Sequence, residues 1–163
     1  MGKWKAALRL LIKDSPIQIL VALSFVMLLL PGAALQDGGT VITWKTLADV
    51  KYRKELNGEY DLYFMYPAFG PKVRSLDGKR ISIRGYMIPV DEYGRRYVIS
   101  AKPMAQCFFC GGAGPESLIE LQLKKKGLRF KTDEIRTVTG VLRLNARDVD
   151  HLNYILKEVE VFD

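Results

Sequence analysis

The chain has 163 residues, 48% hydrophobic and 26% charged, which is the make-up of a globular protein and excludes intrinsic disorder. Its formal net charge is +7, but four basic residues and one acid fall within the first 34 positions, so the remainder carries +4. That balance is too weak to argue for nucleic acid on its own.

Residues 1–34 read as a secretory signal. Lys3, Lys5, Arg9 and Lys13 form a positive start, and residues 17–30 are an apolar run broken only by Gln18 and Ser24. Pro31, Gly32, Ala33 and Ala34 then break the helix and place cleavage after Ala34. The run is about 14 residues, short of the roughly 20 needed to span a bilayer. An uncleaved N-terminal anchor is the alternative. No cysteine follows the run, which excludes a lipoprotein anchor. Either way the domain is expected to be exported, periplasmic or otherwise extracytoplasmic, and to touch a membrane only through this segment.

Residues 35–75 are expected to form an N-terminal extension packed on the main body, being too short to bury a core alone. Residues 40–44 suggest a short strand or extended arm. Within 45–57, Trp44, Leu47 and Val50 stand at helical spacing, and one or two helical turns are predicted. Residues 61–67 are aromatic and β-prone and end in a Pro/Gly-rich stretch reaching Pro71.

From residue 76 the pattern becomes clearly β. Residues 79–90 alternate, with Ile81, Ile83, Gly85 and Met87 on one face and Arg80, Ser82, Arg84 and Tyr86 on the other. Residues 91–94 are a turn, and 97–101 the returning strand. Residues 118–123 alternate again, and 124–127 turn the chain. A fourth strand spans 135–144 with Val138, Gly140, Leu142 and Leu144 inward. A polar connection at 145–153 leads to the last strand, 154–162. Five strands, two carrying an isolated glycine, suggest a small closed barrel, since such glycines mark bends or bulges. The closest architecture is an OB-like barrel over residues 76–163. A β-sandwich fragment or an SH3-like barrel is the alternative, because only the polar stretch 127–134 occupies the place of the usual helix between the third and fourth strands.

The stretch most unlike the rest is 107–117, Cys-Phe-Phe-Cys followed by Gly111, Gly112, Ala113, Gly114, Pro115, Glu116 and Ser117, with both cysteines of the chain. Two thiolates at this spacing can chelate one Zn²⁺ or Cu⁺ from a single turn. Further ligands would be Met104 and His151, the only histidine, which Asp148 and Asp150 flank. A Cys₂His site forms only if the last connection folds back onto the loop; Cys107, Cys110 and Met104 alone would serve Cu⁺. His151 otherwise reads as a surface loop residue and Met104 as packing. A local disulfide that stiffens the loop is the competing reading, natural in an oxidising compartment. Thiol redox chemistry comes third, because neither a helix start nor a βαβ pattern accompanies the pair. Covalent haem attachment fails, since Gly111 stands where histidine is required. Phe108 and Phe109 would plug the barrel or contact a partner, and Glu116 would cap loop amides.

The basic stretch from Lys124 to Lys131, with Tyr86, Tyr93, Tyr97 and Phe130 as stacking faces, is the other candidate surface. It reads better as a solvated hairpin turn whose lysines guard a strand edge. No nucleic-acid partner is therefore expected. No Ser/His/Asp arrangement, phosphate loop or carboxylate pair emerges, so no catalytic residue is assigned.

Trp44-Lys45-Thr46-Leu47, Leu76-Asp77-Gly78-Lys79, Gly85-Tyr86-Met87-Ile88-Pro89 and the 107–117 loop together resemble the exported bacterial proteins grouped as domain of unknown function 3299. The resemblance covers residues 40–162. It implies an exported, periplasmic, β-rich protein with a shared thiol loop. Some relatives occur near transport genes, which implies a metal or transporter accessory role with a membrane-associated protein partner. Other branches carry a loop with a single cysteine and a nearby histidine, so a pair of soft ligands is the natural common denominator. The resulting expectation is a binding or accessory protein whose Cys107/Cys110 loop holds zinc or copper in the service of membrane transport. The alternative is a structural or interaction domain with a stiffened loop.

Overall fold

The computed structural model describes residues 38–91 and 96–163. The expected signal or anchor segment at 1–34 and most of the 91–94 turn, with Tyr93, lie outside them. Among the described residues no helix is long and apolar enough to cross a membrane.

The chain is mainly β. A two-residue strand β1 (Thr40–Val41) leads through a single helical turn α1 (Trp44–Leu47) into an antiparallel ribbon, β2 (Val50–Asn57) and β3 (Leu62–Phe69). A second turn, α2 (Pro71–Arg74), starts on proline, whose fixed φ suits the first helical position. The barrel strands follow: β4 (Arg80–Pro89), β5 (Tyr97–Ser100), β6 (Leu118–Leu123), β7 (Glu134–Leu144) and β8 (Tyr154–Phe162).

These five strands close in the order β4-β5-β6-β8-β7 and back to β4, with β6 and β8 the parallel pair and the other neighbours antiparallel. That is the strand order of an OB barrel, and the sandwich and SH3-like alternatives fall away. β5 pairs only with residues 86–89 of β4. β1 pairs in parallel with Ile81 and Ser82, farther along the same strand, and covers part of the edge that β5 leaves open.

Alternation fills the interior. Ile81, Ile83 and Met87 of β4, Ile119 and Leu121 of β6, Val138 and Leu142 of β7 and Leu156 of β8 share one core. Each fully buried aliphatic side chain contributes about 1.5–3 kcal/mol. Gly140 sits where the β7–β8 register shifts between Thr139 and Val141, opposite Glu158, whose φ is +53°. A Cβ on Gly140 would come 2.6 Å from the Lys157 carbonyl oxygen, so the strands approach this closely only because the side chain is absent.

The extension joins the same core through Ile42, Leu47 and Val73. Trp44 lies against Gly85 and donates its indole N–H to the Arg84 carbonyl at 2.8 Å. The Tyr154 hydroxyl donates to the Leu47 carbonyl at 2.7 Å. One sequence expectation is corrected here. Residues 50–57 are a strand, and only residues 44–47 make the helical turn. Lys51, Arg53, Lys54 and Glu55 obscure the alternation, and pairing with β3 decides the conformation where local preference does not.

The stretch 127–134 holds no helix. Phe130 turns inward, packs edge-on against Tyr97 at 5.3 Å between ring centres, and donates its amide to the Tyr97 hydroxyl at 3.2 Å. Both rings are thereby withdrawn from any stacking surface, and Tyr97 is buried. The basic stretch is not the hairpin turn expected, because β6 and β7 do not pair with each other; it is an exposed connection between strands that β8 separates.

Candidate functional site

The β5–β6 connection, residues 101–117, folds back over the outside of the barrel. Its base is closed by the Ala101 amide on the Ser117 carbonyl at 3.0 Å, and Ser117 Oγ donates to the Gly114 carbonyl at 2.7 Å. Between these ends run three 3₁₀ turns, Met104–Gln106, Phe108–Cys110 and Pro115–Ser117. Cys107 is the extended residue between the first two. Its carbonyl accepts the amides of Cys110 and Gly112, both at 3.1 Å. Gly111, at φ +74°, takes the left-handed conformation that ends the second turn. The small residues after the CxxC pair thus let the chain reverse within five positions.

This backbone gives the two thiols opposite environments. Cys107 is fully buried against Ile88, Val98 and Leu118, outward-facing residues of β4, β5 and β6, with Met104 and Leu152 packed around them. Cys110 is exposed, and no disulfide joins the pair. Phe108 and Phe109 are 37% and 48% exposed and lean on each other at 6.1 Å. The loop is therefore held by backbone hydrogen bonds and by Cys107 acting as a small apolar plug.

Of the further ligands named from sequence, Met104 belongs to the same apolar cluster as Cys107. The Met104 amide also donates to Asp133 Oδ1 at 2.7 Å, which ties the loop to the start of β7. The last connection does fold back, and Leu152 reaches the Cys107 cluster. His151 turns elsewhere: its Nδ1 lies 2.9 and 3.0 Å from the two carboxylate oxygens of Glu120 on β6. That hydrogen bond, and then the Glu120 charge, raise the His151 pKa above the ordinary histidine value. Among the described residues no three Cys, His, Asp or Glu side chains stand together as a metal-holding group.

Sequence reading missed Glu120, which occupies an ordinary outward position of an alternating strand and meets His151 only through the barrel closure. It also missed Glu116's neighbour. Glu116 faces the Tyr52 hydroxyl, whose pKa is pushed up to about 12, first by burial, with the carboxylate adding to it. This contact links the end of the thiol loop to the ribbon strand β2.

No family model matches the chain, and no curated protein matches it. The structure is similar to the crystal structure of a DUF3299 family protein from Pseudomonas aeruginosa PAO1, with a TM-score of 0.47 and 13% identity over 76% of this chain and 95% of that one. The solved neighbour carries the same family name that the strand and loop motifs of this chain resemble.

Proposed function

We propose that this is a small exported binding or accessory protein that meets a protein partner through its thiol loop. The observation that supports this reading is the division of the CxxC pair. Cys107 anchors the loop in an apolar cluster, while Phe108, Phe109 and Cys110 stand on the exposed turn above it. Aromatics already fixed on a turn lose little entropy when covered, and such residues carry much of the energy of protein interfaces. The partner would be membrane-associated and outside the cytoplasm, where an N-terminal segment of this type directs a chain. Thiol exchange led by the first cysteine is disfavoured, because Cys107 has no access to a substrate disulfide.

Labelling of Cys110 by a membrane-impermeant maleimide tests this reading. In intact cells that natively produce the protein, labelling should be slower than in the purified protein, and Phe109→Ala should restore it. Equal rates in cells and in purified protein would contradict the proposal.

A second reading starts from the packing of Met104 against the Cys107 cluster: Cys107, Cys110 and Met104 would hold one Cu⁺, for which the exposed Cys110 would have to turn inward. A four-ligand zinc site does not fit these residues, whereas Cu⁺ accepts few, soft ligands. Under this reading the copper chelator bathocuproine disulfonate, and not Phe109→Ala, would restore labelling in cells.

A further inference from the structure

A cleft of about 910 Å³ opens on the outside of the barrel beside the thiol loop. Its floor is β5 and β6, where Val98, Glu120 and Gln122 face outward. Phe109 of the thiol loop, the 125–129 turn and the 149–152 connection line it as well. The face over the second and third strands, between the first and last loops, is where OB barrels take ligands in general. The volume also falls within the range of small-molecule sites.

The chemistry of the lining narrows the ligand. Among the described residues, the cationic side chains Arg96, Lys125 and Lys126 meet two carboxylates, Glu120 and Asp150. Glu120 is already engaged, holding the His151 ring and lying 3.3 Å from the Leu152 amide that donates to it. The excess charge facing the cleft is therefore positive. Val90, Phe109 and Leu128 add apolar surface, and Phe109 leaves an aromatic face half in solvent. A wholly apolar ligand would desolvate Lys125 and Lys126 with nothing to offset the cost, and a bare inorganic anion would leave the apolar wall uncovered.

We infer that this cleft binds a small amphipathic anion, an anionic head on an aromatic or aliphatic body. The head lies toward the 125–129 turn and the body toward Phe109 and Val90. This site shares Phe109 with the partner reading of the thiol loop, while Phe108 lines a neighbouring hollow with Phe64 and Arg147. The charge reversal at Lys125 and Lys126, which lie outside the thiol loop, tests this site apart from that reading.

Calorimetric titration of the full chain with 1-naphthyl phosphate, 1-naphthol and inorganic phosphate tests the inference. Naphthyl phosphate should bind saturably at one site, with naphthol and phosphate each at least about tenfold weaker. The double reversal Lys125→Glu/Lys126→Glu, on an exposed turn, should weaken naphthyl phosphate about tenfold and leave naphthol unchanged, which also reports that the cleft is still folded. Phe109→Ala should weaken naphthyl phosphate and naphthol together. Absence of saturable binding in the millimolar range would overturn the inference. So would naphthol or phosphate binding as tightly as naphthyl phosphate, or an isotherm indifferent to the charge reversal.

Discussion

Two residues of the same type, three positions apart, do opposite things in this protein. Cys107 and Cys110 read identically as a sequence motif, and the alternatives of metal, disulfide and redox pair followed from that symmetry. Burial breaks it, because the strand positions that receive Cys107, namely Ile88, Val98 and Leu118, face outward on the barrel. Ile88 and Leu118 lie one position out of phase with the inward residues of their strands, so they looked like interruptions of the alternation when they are the floor of a second, smaller core. His151 shows the same limit. Its type made it a candidate ligand, but the partner that fixes it lies 31 positions away across the parallel β6–β8 pair. The His151–Glu120 contact has a pH signature. The folded-state pKa lies above the unfolded value, so the stabilisation is complete below the unfolded pKa of about 6.5 and is lost as pH rises through the folded value. As the chain has one histidine, proton NMR should give a single imidazole titration displaced upward. Glu120→Gln should bring it back toward 6.5, and an unshifted titration in the parent protein would remove the contact from the account.

At the scale of elements, the barrel strands were legible because period-two alternation is strong over residues 79–90, 118–123, 135–144 and 154–162. The ribbon was not, because β2 is charged at four of its eight positions and pairs on one side only. The glycine in the fourth barrel strand was read correctly as the mark of a bulge. At that bulge Gly140 and Glu158 make opposite demands: the first leaves room for the Lys157 carbonyl, and the second holds a left-handed conformation costly for a side chain. Gly140→Ala should therefore destabilise by about 1–3 kcal/mol. Glu158→Gly should leave stability unchanged or raise it by up to about 1 kcal/mol. Urea denaturation of the two variants checks both, and equal destabilisation by the two would mean that the bulge lies elsewhere.

For the molecule as a whole, closure into an OB-like barrel explains why its chemistry-bearing residues gather on one outer face. The β5–β6 connection carries the thiols, the β6–β7 turn the lysines and the β7–β8 connection the histidine. Strand order brings all three beside β6, although they lie far apart in the chain. None of this gathering was readable from spacing alone, since it depends on β8 inserting between β6 and β7. The resemblance carried by the GYMIP strand and the cysteine loop pointed to a family without supplying an activity, so the division of labour between the two thiols is the main functional lead. It is tested most directly by mass-spectrometric mapping of iodoacetamide alkylation in the reduced, purified, native protein. Cys110 should react at the rate of an exposed thiol, while Cys107 should react only as fast as the loop or the whole domain opens, becoming equal to Cys110 in denaturant. Comparable rates for the two cysteines under native conditions would contradict the anchored-and-presented arrangement on which the account rests.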